Sequence, residues 1–172
     1  MTVVDVTRIY LEMLDPSDLN GLRELDPRFR IERADPCPLE LYRKLYDRVG
    51  APHHWRDRLA WSDVELRDYL LDRSVGVWIL FFHSEAAGYF EMKRHDDESV
   101  EIVYFGIRPE FIGMGLGKPL LTRAVDEAWR VGTRVWLHTC SLDSPHAFPN
   151  YLARGFREFK REIYQVEIPE GL

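Results

Sequence analysis

The spacing of apolar residues predicts a chain that alternates between strands and helices. The segment Thr7–Met13 alternates loosely between polar and apolar side chains, as expected for a first strand. Between Pro38 and Val49 the apolar residues recur near every 3.6 positions, which predicts an amphipathic helix. A second helix is expected over residues 62–71, because Ser62 and Glu65 have the spacing of a capping box.

Three apolar segments in the middle of the chain predict an antiparallel meander. Residues 76–82 form an almost continuous apolar run, which is typical of a strand covered on both faces. Residues 88–93 and 100–107 follow after connections of hairpin length. A further short strand is expected at residues 29–32.

The pattern after the meander predicts a βαβ unit. Apolar residues between 120 and 129 recur at helical spacing, and Gly132 is placed to end that helix. Residues 134–140 read as a strand, and the crossover rule makes it a parallel neighbour of the meander's last strand. A short helix near residues 145–154 and further strands complete an α/β fold with a mixed sheet and helices on both faces. We expect one domain spanning residues 1–172.

Composition narrows the class of protein. Of 172 residues, 45% are hydrophobic and 30% are charged, which indicates a globular chain. No apolar run approaches the roughly 18–20 residues of a membrane helix. The first residues lack the basic and apolar regions of a signal peptide, and the net charge of −6 argues against a nucleic-acid partner. These features predict a cytoplasmic protein that binds neither membranes nor nucleic acids.

The cysteines and histidines do not form a metal-binding pattern. Cys37 and Cys140 are about a hundred residues apart and belong to no CxxC pair. His53 and His54 are adjacent, so they cannot share one helix face at the spacing of a zinc motif. We therefore expect free thiols and no metal site.

A glycine-rich turn at residues 113–118 (GMGLGK) is the strongest chemical signal. It lies between a strand and a helix, where free main-chain N–H groups and the helix dipole favour a phosphate. A P-loop is excluded, because Ile112 occupies the first glycine position and Pro119 replaces the metal-binding hydroxyl. A dinucleotide fingerprint fails as well, since its last glycine falls on Lys118. An ordinary turn without a ligand and a general anion or nucleotide site are the alternatives.

This turn resembles the pyrophosphate loop of the GNAT acetyltransferases, whose signature is Q/R-x-x-G-x-G/A. Gly115 and Gly117 occupy its two small-residue positions. A second family pattern, N-x-x-A-x-x-x-Y-x-x-x-G-F, is matched at its Ala, Tyr, Gly and Phe by Ala147, Tyr151, Gly155 and Phe156. The resemblance covers about residues 75–156. Two departures are Ile112 in place of Gln or Arg, and Ser144 in place of Asn.

The resemblance implies a GNAT fold, acetyl-CoA as co-substrate and an amine as acceptor. It also implies that the two strands around the βαβ helix splay apart and hold the pantetheine arm between them. The residues that it assigns to acetyl-CoA are Phe105, Gly106, Ile107, Gly113, Met114, Gly115, Leu116, Gly117, Lys118, Ser144 and Tyr151.

The same resemblance assigns catalytic roles. Glu101 is a carboxylate in an otherwise apolar strand similar to the one that carries the catalytic Glu of histone-type members, so it is the candidate base. Tyr151 matches the general acid of the family, and a main-chain N–H near Ile107 would stabilise the oxyanion. The alternatives are a solvated carboxylate at the strand end and a core tyrosine. His138 is either an auxiliary base or a half-buried, hydrogen-bonded histidine.

The early helical region lines the acceptor site in the family. Its candidates here are Tyr46, Trp55, Arg56 and Trp61, which could equally belong to the core. The predicted function is transfer of an acetyl group to a primary amine, with a small-molecule acceptor and direct attack in a ternary complex. A non-catalytic acyl-CoA sensor on the same fold is the alternative that Ile112 leaves open. Dimers are common among members, so a homodimer is compatible with the resemblance.

Overall fold

The computed structural model describes residues 1–170, and strands and helices alternate along them. The strands are β1 (Thr2–Met13), β2 (Phe29–Ala34), β3 (Val75–Phe82), β4 (Glu85–Arg94), β5 (Ser99–Ile107), β6 (Arg134–Cys140) and β7 (Arg157–Ile168). The α-helices are α1 (Leu39–Gly50), α2 (Asp63–Leu71), α3 (Gly117–Val131) and α4 (Ala147–Arg154).

All of these strands belong to one sheet, in the order β2-β3-β4-β5-β6-β1-β7. Strands β3, β4 and β5 form an antiparallel meander, whereas β5 and β6 are parallel and joined through α3. The mixed sheet and its βαβ unit confirm the predicted fold class. Among the described residues, no helix has the length and apolar character needed to cross a membrane.

Helices cover both faces of the sheet, which explains the apolar run in β3. Trp78 and Leu80 belong to the core under α3, whereas Val77 and Ile79 belong to the core under α1 and α2. Successive side chains of a strand point to opposite faces, so a strand covered on both sides needs apolar residues at every position. Burying each such side chain stabilises the fold by about 1.5–3 kcal/mol.

The predicted start of α2 is confirmed at atomic detail. The Ser62 hydroxyl accepts the Glu65 N–H at 3.1 Å, and the Glu65 carboxylate accepts the Ser62 N–H at 3.3 Å. Both bonds satisfy main-chain donors that have no partner within the helix.

The edge of the sheet differs from the prediction. Strand β1 begins at Thr2, five residues before the predicted start at Thr7, and it pairs with β7 from Thr2 to Glu12. Residues 157–168 form one strand where separate strands were expected. Strand β7 lies at the edge of the sheet, and β1 is its inner neighbour. Main-chain hydrogen bonds between such strands do not need an alternating side-chain pattern, so the sequence gives little sign of them.

Strands β5 and β6 separate shortly after they meet. Their pairing runs from Ser99–Arg134 through Val100–Val135 to Glu101–Trp136 and extends no further within the described residues. Because β5 continues to Ile107, the rest of its edge on this side faces an opening in the sheet. This opening positions the site.

Candidate active site

A cleft of about 580 Å³ lies where β5 and β6 separate. One wall is formed by the end of α1 and by residues 53–58, and another by α4. Parts of β1, β6 and β7 form the remaining side. The cleft therefore has a side toward α3 and α4 and a side toward α1. The family resemblance predicts acetyl-CoA on the first and the acceptor on the second, so they are called the cofactor side and the acceptor side below.

The glycine-rich turn adopts a conformation that presents main-chain N–H groups. Gly113 and Gly115 have φ of 90° and 73°, and a Cβ on either would meet no atom within 4 Å. Glycine is thus favoured by the left-handed backbone and not by lack of space. From Gly113 to Lys118, no main-chain N–H donates to an acceptor in the described chain. Six successive free donors at the start of α3 suit an anion.

The turn residues divide between two surfaces. Gly117 lines the cleft, and so does Ile112, which is 49% exposed. Four other predicted contacts of the turn border a second, smaller depression beside residues 22–26; they are Met114, Gly115, Leu116 and Lys118. Gly113 lines neither surface. A ligand bound to all of the free amides would therefore extend from the cleft over the start of α3.

The free edge of β5 supplies further donors. Phe105, Gly106 and Ile107 all line the cleft. The N–H of Arg108 donates to Ala87 O of β4 at 2.8 Å. Because successive amides of a strand point to opposite sides, the N–H groups of Ile107 and Phe105 point away from β4 and into the opening.

Gly106 allows α1 to approach this edge closely. A Cβ at Gly106 would clash with the side chain of Val49, and the ring of Trp55 lies 3.8 Å from the same position. The family resemblance assigns Gly106 to the acetyl-CoA site. The structure adds a packing reason, since any side chain here would push α1 off the sheet.

Glu101 lines the cleft, and its side chain is 14% exposed. Its Oε1 lies 3.0 Å from Nε2 of His95, and the His95 ring packs against Trp136. A carboxylate only accepts hydrogen bonds, so the imidazole N–H donates. The sequence does not single out His95, because its contact with Glu101 depends on the register of the β4–β5 hairpin.

Tyr151 lies on α4 and lines the cleft, although only 6% of the residue is exposed. Its ring makes edge contacts with Phe105 and Phe156, with centroids 6.2 Å apart in each pair. Burial, followed by the negative charge of Asp143, raises the pKa of Tyr151 well above its usual value. The phenol is therefore protonated throughout the neutral range.

Ser144 also lines the cleft, just before α4. Its hydroxyl accepts the N–H of His146 at 3.3 Å. Nearby, Asn150 donates from Nδ2 to the carbonyl oxygen of Gly117 at 3.3 Å, which ties α4 to the start of α3.

His138 lies on β6 in the cleft wall, with its ring 5.5 Å from that of Tyr10. Partial enclosure in the cleft, followed by the charge of Arg8, lowers the pKa of His138. The imidazole is therefore neutral near pH 7.

The acceptor side is built from aromatic rings. The ring of Trp55 lies 5.6 Å from that of Tyr46 and 4.9 Å from that of Tyr104. All three residues line the cleft, as does Arg56. Trp61 does not line it and instead packs beneath Arg58, with the guanidinium 4.0 Å above its ring.

A buried charge network lies under this wall. Glu91 of β4 is fully buried and accepts hydrogen bonds from the hydroxyls of Tyr42 and Tyr69, the latter at 2.6 Å. Arg58 donates from Nη2 to the same carboxylate at 3.0 Å. Burial raises the pKa of Tyr69 well above its usual value, and the charge of Glu91 adds to the effect. Sequence reasoning missed this network, because a Glu in a strand usually faces solvent.

The thiols are free, with Cys37 buried and Cys140 half-buried in the cleft wall. Burial raises the pKa of Cys37 to about 12. Within residues 1–170, no cluster of three or more His, Cys, Asp or Glu side chains is arranged to hold a metal ion.

A cleft between parting parallel strands, with free amides at the start of the following helix, defines the chain as a member of the GNAT fold class. Residues 39–156 match the model of the Acetyltransferase (GNAT) family, which is more than half of the chain. The chain therefore belongs to this family. No curated protein matches it.

Solved structures share the fold at low sequence identity. An aminoglycoside acetyltransferase from an uncultured soil metagenomic sample is 17% identical, with a TM-score of 0.63 over 76% of this chain and 90% of its own. A functionally unknown conserved protein from Staphylococcus epidermidis is 18% identical, with a TM-score of 0.65 over 95% and 61%. A tandem GNAT protein from the clavulanic acid biosynthesis pathway is 14% identical, with a TM-score of 0.66 over 99% and 56%. The chain thus spans about three fifths or less of the length of the last two proteins.

Proposed function

We propose that this chain is an N-acetyltransferase that uses acetyl-CoA to acetylate a primary amine of a small-molecule acceptor. The observation that carries the proposal is the opening between β5 and β6, with free amides at one end and Glu101 and Tyr151 along it. An enclosed route between anion-binding donors and two proton-transfer groups suits acyl transfer.

The residues present fit acetyl-CoA, which supplies an activated thioester. Six free N–H groups at residues 113–118 would hold the diphosphate, and the open space at Gly113 and Gly115 leaves room for it. Ile112 contributes no hydrogen bond at the position of the usual Gln or Arg. The exposed Lys118 would supply positive charge near the same turn.

The edge of β5 would stabilise negative charge on the thioester oxygen. The N–H groups of Phe105 and Ile107 both point into the opening, so either can donate to that oxygen. Glu101 is six residues from Ile107 along the strand, or roughly 20 Å in extended backbone, and nearer to Phe105. We therefore assign the oxyanion to the Phe105 end of this edge.

Two side chains would move the protons. Glu101 accepts the proton that the amine loses on attack, through a water molecule, while the His95 N–H holds its carboxylate. Tyr151 donates its hydroxyl proton to the departing thiolate, which its protonated state at neutral pH permits. Direct attack requires both substrates to be bound together, which agrees with a cleft that has two sides.

Binding and turnover measurements test the proposal. Titration calorimetry should detect binding of acetyl-CoA, and a thiol-release assay over an amine library should find an acceptor. Because one structural neighbour is an aminoglycoside acetyltransferase, the library should include aminoglycosides. Absence of CoA binding would refute the proposal. Binding without turnover of any amine, unchanged in Tyr151→Phe, would instead indicate an acyl-CoA sensor.

A further inference from the structure

The guanidinium of Arg58 is bound by protein on one side only. Its Nη2 donates to Glu91, and its Nε donates to the hydroxyl of Tyr42 at 3.3 Å. Within the described residues, Nη1 donates to no acceptor. It is not among the fully buried polar atoms without a partner, so it is partly exposed. Arg58 lines the cleft, so Nη1 is the guanidinium nitrogen that remains available to a ligand there.

The position of this guanidinium is fixed before any ligand binds. The group lies 4.0 Å above the ring of Trp61 and 4.6 Å from that of Tyr69. The main-chain N–H of Arg58 also donates to the Tyr46 hydroxyl at 3.2 Å. A planar donor held in this way loses little conformational freedom when it binds an oxygen atom.

Arg58 lies close to the edge of β5 at which transfer is proposed. Its guanidinium is 5.2 Å from the ring of Tyr104, the residue before Phe105. Glu101 lines the same cleft from the same strand, so an anionic and a cationic side chain both face the acceptor. A ligand that carries an amine beside an oxygen acceptor would complement both.

The neighbouring rings indicate what else the ligand carries. Trp55 lines the cleft beside Arg58 and offers apolar surface, and the ring of the almost fully buried Tyr46 packs behind it. Glu91 already balances the charge of Arg58, so the bound oxygen need not be charged. A carboxylate and a carbonyl oxygen both suit the free N–H groups.

We propose that the acceptor is an amino-acid-like amine with an apolar side chain; this inference rests on the proposed function. Its carboxylate or carbonyl oxygen binds Nη1 of Arg58, and its amine faces the edge of β5. Arg58 is then the residue that selects this class over simple amines.

Three amines with the same phenylethyl skeleton test whether the enzyme selects an oxygen beside the amine: phenylalanine, phenylalaninamide and 2-phenylethylamine. In the thiol-release assay, the acid or the amide should exceed the bare amine at least 10-fold in kcat/KM. A preference for the acid identifies a carboxylate, and a preference for the amide identifies a carbonyl oxygen. Equal or better use of 2-phenylethylamine, or turnover confined to amines with no neighbouring oxygen, overturns the inference.

A double variant separates binding by Arg58 from its structural role. Arg58→Met with Glu91→Leu removes both members of the buried pair together, a change that proteins often tolerate. The folded variant should lose the preference, to within about 3-fold, while its Kd for acetyl-CoA stays within 2-fold of the parent. If the preference survives in this variant, Arg58 is structural only and the inference is wrong.

The matched control removes an ion pair of the same face outside the cleft. Arg43 contacts Asp63 at 2.9 Å, and neither residue lines the cleft. Arg43→Met with Asp63→Leu should keep the full preference; loss of the preference here would contradict a specific role for Arg58. A parent protein that binds no acetyl-CoA, or acetylates no amine at all, refutes the proposed function itself. Turnover without selection refutes this inference alone.

Discussion

The two sides of the cleft are built in different ways. The cofactor side presents main-chain N–H groups from residues 113–118 and from the edge of β5. The acceptor side consists of side chains, and its wall is anchored through Arg58 to the buried Glu91. Main-chain donors serve any ligand with the same phosphates, whereas a wall of side chains can differ in every relative. If the proposed function holds, we expect acetyl-CoA binding to depend on the first side and the choice of acceptor on the second.

The two sides also depend on the rest of the fold to different degrees. The turn before α3 needs local conditions, namely two residues with positive φ and a helix that begins there. The acceptor wall needs α1, α2 and β4 to be in place, because the hydroxyls of Tyr42 and Tyr69 and the guanidinium of Arg58 meet on one carboxylate. Substitutions should therefore affect ligand binding on the cofactor side and stability on the acceptor side.

The largest expected effect is on stability, at the buried pair. Arg58→Met alone leaves Glu91 without its cation in a fully buried position. It should lower the free energy of unfolding by about 3–5 kcal/mol, measured by urea denaturation. The double variant with Glu91→Leu should regain most of that loss. If the single variant is as stable as the parent, the pair does not anchor the acceptor side.

Gly115→Glu should act on the cofactor side instead. A negative charge among the free amides should weaken acetyl-CoA binding at least 100-fold, or about 2.7 kcal/mol by calorimetry. Gly115→Ala is the control, because it carries the left-handed backbone strain of about 1–2 kcal/mol without the charge. It should bind acetyl-CoA far more tightly than the Glu variant. Parent-like binding by Gly115→Glu would remove the basis for a diphosphate site.

Tyr151→Phe tests the group that lies between the two sides. Loss of the general acid should lower kcat about 100-fold and leave the Kd for acetyl-CoA unchanged. Since the pKa of Tyr151 is raised, the parent should show no loss of rate from its ionisation near neutral pH. Tyr164 also lines the cleft, and Tyr164→Phe should retain most of the rate. An unaffected kcat in Tyr151→Phe would assign the proton donor elsewhere.

The smallest expected effect concerns pH. The folded-state pKa of His138 is lowered, so between that value and about 6.5 the unfolded chain binds more protons than the folded one. His138 therefore reduces stability as the pH falls below about 6.5. His138→Asn should flatten this part of the stability profile by a few tenths of a kcal/mol, because water in the cleft screens the charges. If stability fell more steeply with decreasing pH in the variant than in the parent, the pKa of His138 would not be lowered by folding.

Much of the fold and the cofactor side could be predicted from the sequence. The apolar run of β3, the capping box at Ser62 and the helical spacing after residue 117 are signals within a few residues of one another. The same holds for the turn at residues 113–118, because its glycines and its position before a helix can be recognised in the sequence. For Glu101 and Tyr151, the resemblance proposed roles, and the structure places both in the cleft.

The acceptor side could not be predicted in the same way. Tyr46, Trp55 and Arg56 were candidates, with a core position as the equal alternative, and the structure places all three in the cleft wall while Trp61 packs behind it. Arg58 was not a candidate. Its importance depends on Glu91, which is 33 residues away in the chain. Likewise, the contact of His95 with Glu101 depends on the register of a hairpin with a bulge.

The sequence by itself determined the βαβ unit, the meander and the glycine-rich turn before α3, because periodicity, glycine and a helix start act over a few residues. Only the tertiary structure decided that β1 and β7 pair along their length, at which residue β5 and β6 separate, and that a buried carboxylate orients Arg58. These features require segments distant in the chain to meet in one register, and no local pattern encodes that register.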